Sequence, residues 1–109
     1  MPFTPGANDG TLNGTSEVTV VAAPGAGVVR TVRNINVYNA DNAAITLYLK
    51  YVHGASKRTL AKVTVGVGET FIYEEALILD DTDKSIIALL GGAKSSTDPD
   101  FMTAYADYS

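Results

Sequence analysis

The chain has 109 residues, 46% of them hydrophobic and 18% charged, which is enough apolar volume for one compact core and too short for two domains. Its net charge is −4 and its eight Lys and Arg are scattered, which excludes the clustered basic stripe of a nucleic-acid-binding protein. The absence of cysteine excludes disulfides and thiolate metal sites, and no apolar run approaches the ~20 residues of a membrane span.

The first 15 residues contain two Pro, three Gly and two Asn. Such a composition buries little apolar area, so residues 1–15 are interpreted as an extended or flexible N-terminal arm. The arm is either a frayed terminus or a segment that becomes ordered against a neighbouring subunit, in which case Pro2, Phe3 and Pro5 are candidate interface residues. The N-terminus also lacks the basic and hydrophobic regions of a signal peptide, so we expect synthesis and folding in a cytoplasm.

Residues 16–109 are expected to form a single β-sandwich domain. Short apolar runs alternate there with turn residues about every 8–12 positions, which is typical of a sandwich or barrel. The pattern predicts 7–8 antiparallel strands in two packed sheets, of jelly-roll or immunoglobulin-like type. The runs are 17–22, 28–38, 44–52, 60–65, 70–73, 77–79, 85–90 and 101–107.

The run 44–52 shows which side chains are expected to face the core. Leu47 and Leu49 alternate with polar positions, so they predict a half-buried strand with Tyr48 on its outer face. The same reasoning over all the runs gives a predicted core. Its members are Val18, Val20, Val32, Ile35, Val37, Ile45, Leu47, Leu49, Leu60, Val63, Phe71, Leu79, Ile86, Ala88 and Tyr105.

The run 28–38 contains an irregularity. Its alternation slips by one residue between Val32 and Ile35. One extra residue at Arg33-Asn34 would return both apolar side chains to the same face, so we predict a β-bulge there.

His53 is the chain's single histidine and precedes Gly54 in a predicted turn. A general base needs a nucleophile and an orienting group nearby, and a zinc site needs further His or Cys ligands. The interpretation favoured for His53 is therefore a solvated turn residue. We predict no catalytic residues, no cofactor and no enzymatic activity.

Asp80, Asp81 and Asp83 form the one local acidic cluster. Carboxylate oxygens are ligands for Ca²⁺, but the run lacks the spacing and the distal Glu of a helix–loop–helix calcium site. Asp and Thr are also ordinary turn residues, because their side chains bond to the nearby backbone. The turn interpretation is favoured, and calcium binding by residues 80–83 stays open.

The six tyrosines include two further candidate interface residues, Tyr48 and Tyr108. A ring on the outer face of a strand combines an apolar body with a polar tip, which suits a partly hydrated protein contact. The alternative is an ordinary surface tyrosine.

Between Arg30 and Tyr105 the chain contains, in this order, a strand and Asn-rich turn at 30–39, a strand at 45–49, Val67-Gly68-Glu69-Thr70, Leu79-Asp80 before Ser85-Ile86, and Tyr105-Ala106. This order of elements resembles small virion structural proteins of tailed bacteriophages, of the capsid-decoration or head-associated β-sandwich type. The resemblance implies a jelly-roll or immunoglobulin-like sandwich that forms a homo-oligomer, typically a trimer, and contacts the major capsid protein or other virion proteins.

These observations lead to the hypothesis of a capsid decoration protein that stabilises a phage head by non-covalent oligomeric attachment. It would be located in the virion after synthesis in the host cytoplasm. One alternative is a head–tail connector, or a tail or baseplate/fibre component. An alternative of another class is a carbohydrate- or peptide-binding module that uses exposed tyrosines beside the 80–83 loop. Neither nucleic acid nor a membrane is expected as a partner.

Overall fold

The computed structural model describes residues 3–109, which form nine β-strands. Eight of them coincide with the predicted runs, and the additional strand is β1, at the N-terminus. Over the described range, no helix is long and apolar enough to cross a membrane. The strands are β1 (Phe3–Thr11), β2 (Val18–Val21), β3 (Val29–Tyr38), β4 (Ile45–His53), β5 (Ser56–Val65), β6 (Thr70–Tyr73), β7 (Leu77–Leu79), β8 (Lys84–Leu90) and β9 (Asp100–Tyr108).

The strands form two antiparallel sheets. The larger sheet has the order β1-β9-β3-β6, with β7 paired to the other end of β3, and the smaller sheet has the order β2-β8-β4-β5. Because β6 and β7 pair with different halves of β3, they act together as one interrupted edge strand. Apart from the β4–β5 and β6–β7 connections, the chain changes sheet at every step. This double Greek-key winding is that of a jelly roll, one of the two predicted sandwich types.

The hydrophobic core lies between the two sheets. Every side chain predicted for the core is either buried or packed against the buried cluster. The alternation in β4 is confirmed, since Leu47 and Leu49 are fully buried and Tyr48 is not. The prediction missed Leu12, Val21, Val65, Leu90 and Phe101.

The predicted β-bulge in β3 is confirmed. The pairing of β3 with β9 shifts by one residue between Val32 and Asn34, so Arg33 is the inserted residue. The shift returns Ile35 to the core side on which Val32 already lies, and both are buried.

The stretch predicted as an N-terminal arm differs from the expectation. Residues 3–11 are extended, but they form β1 inside the larger sheet and pair with β9 over the whole length of the strand. The composition indicated an arm because it has few large apolar side chains. A paired strand does not need them on β1 itself, because the pairing satisfies the backbone hydrogen-bonding groups. The ring of Tyr105 covers Gly6, and the ring of Phe101 covers Gly10.

The described part of the former arm is thus an edge strand of the domain, and the chain continues from it into the core at Leu12. The backbone N–H of Leu12 donates to the carbonyl of Pro99 at 2.9 Å, and the Leu12 side chain is buried. Pro5 is exposed on this edge strand, where the missing N–H of proline is tolerated. Pro2 lies outside the described residues, and the interface role of Phe3 stays a prediction.

Replacing Gly6 tests the packing of β1. A Cβ at this position would overlap the Tyr105 ring, so Gly6→Ala is expected to lower the free energy of unfolding by about 1–3 kcal/mol. Urea unfolding followed by far-UV circular dichroism measures this. The matched control is Gly92→Ala, whose Cβ would meet no atom within 4 Å and whose φ is not positive. Equal stability of the two variants would contradict the packing of β1 against Tyr105.

Candidate functional site

The cavity between β5 and β6 is shallow. Its volume is about 170 Å³ and its walls include Val63, Val65 and Phe71. Small-molecule sites usually measure ~300–1,000 Å³. The carboxylate at its mouth, Glu69, accepts a hydrogen bond from the backbone N–H of Gly66 at 2.7 Å, which closes the β5–β6 turn. This cavity therefore contributes to a turn and offers little space for a ligand.

The fold brings His53 together with two residues of the acidic cluster. Because His53 at the end of β4 pairs with Lys84 at the start of β8, its Nε2 lies 3.6 Å from Oδ1 of Asp83. Ligand atoms of His53, Asp81 and Asp83 lie within 4.8 Å of one another, and all three residues are exposed. Three exposed ligands leave most of the six to eight positions around Ca²⁺ to water.

Asp80, the remaining member of the acidic cluster, is engaged elsewhere. Its Oδ1 lies 2.6 Å from Nζ of Lys84. The hydrogen bond from Lys84 holds the pKa of the Asp80 carboxyl below its usual range. The structure therefore separates Asp80 from its neighbours Asp81 and Asp83.

A buried polar pair, missed by the sequence analysis, holds one end of the sandwich together. Asn39 and Asp41 are almost fully buried after β3. The amide of Asn39 donates to the carbonyls of Val65 and Gly66, at 3.0 and 3.2 Å. The Asn-rich turn identified in the sequence is the one signal that pointed to this cluster.

The Asp41 carboxylate joins this cluster to the loop before β9. It accepts hydrogen bonds from the backbone N–H groups of Ser95, Ser96 and Thr97, at 2.7, 2.8 and 3.2 Å. These donors, Ser95 foremost, hold the pKa of the Asp41 carboxyl far below its usual range. All of its oxygens are used to fasten loops, which indicates a structural role.

Arg30 closes the opposite end of the larger sheet. Its guanidinium contacts both oxygens of Asp107, at 2.8 and 3.0 Å, and donates to the carbonyl of Ala22 at 2.8 Å. It also lies 4.1 Å from the centroid of the Tyr105 ring. The hydrogen bond to Asp107 is the main reason why the pKa of Arg30 is raised. This group is a clamp between β3, β9 and the end of β2.

The outer face of the larger sheet, here called the larger-sheet face, carries exposed hydrophobic side chains. Outward positions alternate with core positions along each strand, so this face collects residues from all of its strands. Asn36 also lies on this face, and its Oδ1 is buried without a hydrogen-bond partner within residues 3–109. The exposed hydrophobic residues are Val29, Tyr38, Ile72, Ile78 and Met102.

The outer face of the smaller sheet, the smaller-sheet face, has a different chemistry. The Tyr48 ring lies against Gly91. The Nζ atoms of Lys50 and Lys62 lie 5.7 and 5.5 Å from its centroid. The part of the smaller-sheet face around Tyr48 is therefore basic and aromatic, whereas the exposed hydrophobic side chains named above lie on the larger-sheet face.

The structure divides the predicted interface residues between these two faces. Pro5 is exposed on β1 in register with Ala106, next to Tyr108 on the larger-sheet face. The Tyr108 hydroxyl accepts a hydrogen bond from Nη2 of Arg33 at 3.4 Å. Tyr48 lies on the smaller-sheet face, so the predicted residues do not form one site.

Comparison with known proteins adds information on the fold. No family model and no curated protein sequence matches the chain. It is similar to a protein of Bacillus endospore appendages, described as a family of disulfide-linked pili, with a TM-score of 0.58 and 9% identity over 99% of this chain and 87% of that chain.

Two further solved structures are similar. The chain matches PirA with a TM-score of 0.53 and 17% identity over 92% of both chains. It matches a chain of the cyanophage Pam1 capsid with a TM-score of 0.48 and 15% identity over 98% of this chain and 83% of that chain. The appendage protein and PirA show that the β-sandwich fold is shared, which by itself assigns no activity.

Arg30→Met tests the clamp at the end of the larger sheet. The substitution leaves the half-buried Asp107 carboxylate without its cation, so we expect the free energy of unfolding to fall by about 2 kcal/mol. Arg58→Met, at an exposed position, is the control and should change it by less than about 0.5 kcal/mol. The double variant Arg30→Met/Asp107→Leu should regain part of the loss. Additive single effects in denaturant titrations would contradict the coupling.

Asp41→Asn tests the buried loop cluster through its pH dependence. The folded carboxyl has a pKa below the unfolded value of 3.8, so the ionised group stabilises the fold above that pH and the contribution is lost as the pH falls below it. The variant should be less stable than the wild type at about pH 7, with a smaller difference at about pH 3. Urea midpoints at both pH values measure this, with exposed Glu75→Gln as the control. A pH-independent difference would contradict the role of the charge.

Proposed function

We propose that the chain is a structural subunit of a virus particle, and specifically a capsid decoration protein that stabilises a phage head by non-covalent attachment as a homo-oligomer. The observation that carries this proposal is the concentration of exposed hydrophobic side chains on the larger-sheet face. Ile72, Ile78 and Met102 are each more than half exposed there. Apolar patches on a rigid sheet are typical of protein–protein contacts.

The use of the polar groups supports a contact function over a catalytic one. Arg30, Asp107, Asn39 and Asp41 are engaged in hydrogen bonds that hold loops and strands. His53 is exposed, with a carboxylate 3.6 Å away as its near neighbour. We therefore propose that the protein acts by binding and not by turning over a substrate.

The shared fold is compatible with repeated assembly. The similar Bacillus protein is described as belonging to a family of disulfide-linked pili. The present chain has no cysteine, so the association proposed for it depends on non-covalent contacts. When several copies attach together, weak individual contacts are sufficient for stable attachment. The reason is that one contact, once formed, raises the effective concentration for the contacts of the linked subunits.

The two faces divide the proposed contacts. The larger-sheet face serves association between copies, and the smaller-sheet face, with Tyr48, Lys50 and Lys62, serves attachment to the shell. A head–tail connector or tail component would use the same faces in a different symmetry. A ring about the tail axis and sites spread over the head are distinguished by imaging an intact particle.

The cluster of His53, Asp81 and Asp83 favours one other candidate, a calcium-dependent carbohydrate- or peptide-binding module. This module would bind its ligand beside the 80–83 turn. A rise in the thermal midpoint on addition of Ca²⁺, with a further rise on addition of a glycan, would support it. An unchanged midpoint would contradict it.

Met102→Glu tests the proposed contact face. A charge at this position must be desolvated in any contact, so we expect its occupancy on purified particles to fall about tenfold, with unchanged circular dichroism. Occupancy is measured by quantitative mass spectrometry of particles, and the location by immunogold microscopy. The matched control is Val67→Glu, which is equally exposed in the turn after β5 and lies off the face. Absence of the wild-type chain from particles, or equal losses in both variants, would contradict the proposal.

A further inference from the structure

We propose that two copies of this chain pack through their larger-sheet faces about a two-fold axis that lies between the sheets and runs perpendicular to the strands. This inference rests on the proposed association of copies and adds its symmetry and its contacts. It is drawn from the register of the strands, which places the outward side chains in five parallel rows across β1, β9 and β3.

The central row consists of small and polar residues. It contains Ala7 on β1, Ala104 on β9 and Asn34 on β3, in direct register. Small side chains at the middle of a face allow a second sheet to approach closely. A two-fold axis along this row places each of its residues opposite the same residue of the second copy.

The rows on either side of the centre complement each other. The axis exchanges the second row, which contains Ala106 and Thr31, with the fourth, which contains Met102 and Asn36. Met102 of one copy, which is more than half exposed, then lies over Ala106 of the other, a small side chain that is already covered within its own chain. Asn36 of one copy lies over Thr31 of the other, so a polar side chain meets a polar side chain.

The same exchange of the second and fourth rows applies to the interrupted edge strand formed by β6 and β7. Ile78 on β7 lies in the second row beside Thr31, and Ile72 on β6 lies in the fourth row beside Asn36. The two-fold axis therefore places Ile72 of each copy over Ile78 of the other. Both side chains are more than half exposed in the single chain, at 51% and 56%, and this pairing would remove them from water.

Polar groups at the two ends of the face are also complementary. Asp100 lies in the fifth row, and Tyr108 lies in the first. The axis places Asp100 over the Tyr108 hydroxyl, which is bonded to the Arg33 guanidinium. Packing with the strands of the two copies parallel would instead bring the Asp100 carboxylates of both copies to the same end.

The size of the face suits a stable dimer. Five rows across four strand positions cover roughly 600 Å² in projection, from strand spacings of about 4.8 Å and row spacings of about 7 Å. Side-chain relief increases the accessible area, and stable interfaces bury about 800 Å² per partner. A second copy would therefore cover the face with an interface of about the size that a stable dimer needs.

Chemical cross-linking tests this arrangement on the full chain, which has no native cysteine. Facing sheets lie about 10 Å apart, beyond the reach of a disulfide, so a short bis-maleimide is the probe. Ala104→Cys is expected to cross-link to itself. Ile72→Cys and Ile78→Cys are each expected to cross-link weakly alone and about tenfold more when mixed, because thiols held in a complex have a high effective concentration. Val67→Cys, off the face, is the matched control.

Each outcome decides the inference. Cross-linking of Ile72→Cys to itself as strongly as to Ile78→Cys, or a trimer by sedimentation equilibrium, would overturn the two-fold arrangement while leaving a role in the particle intact. Dimers with the expected cross-links in a chain absent from particles would support the arrangement and contradict the proposed function. Variants are used only if their circular dichroism matches the wild type, and Ala7→Cys provides a second self-cross-linking position on the axis.

Discussion

The bulge at Arg33 sets the orientation of the strand on which the larger sheet is built. Side chains alternate along a strand, so one inserted residue decides which set of side chains faces the core beyond it. With the bulge, Val32 and Ile35 are both buried. Without it, the second half of β3 would turn Asn36 and Tyr38 inward, and both the core and the larger-sheet face would be lost.

The polar clusters at the two ends of the larger sheet hold its strands and the adjoining loop in place. The Arg30–Asp107 pair links the start of β3 to the end of β9, and Asp41 fastens the loop that leads into β9. Buried polar groups are costly unless they are hydrogen-bonded, and these groups meet that demand within the chain. The side chains left for contact with other molecules include the exposed hydrophobic groups of the larger-sheet face and the two lysines around Tyr48 on the smaller-sheet face.

Much of the fold was predictable from local pattern. Alternation of apolar residues predicted seven or eight strands, the inward positions of β4 and the bulge in β3, because it depends on neighbours only two residues apart. Strand β1 was not predicted by this pattern. Its composition indicates a loop, and it becomes a strand because β9, which lies about 100 positions later in the chain, supplies hydrogen-bond partners and the rings that cover Gly6 and Gly10.

For the candidate site, too, one part was determined by the sequence and another only by the tertiary structure. The sequence by itself determined that Tyr48 faces outward. It also determined that the chain has a single histidine and no cysteine, and so few side chains suited to catalysis. Only the tertiary structure decided that Ile72, Ile78 and Met102 share one face, that His53 lies beside Asp83, and that Asp41 is buried under the loop at 95–97. The physical reason is that these neighbours come from strands and loops far apart in the chain, and their proximity depends on strand order and register, which local alternation does not specify.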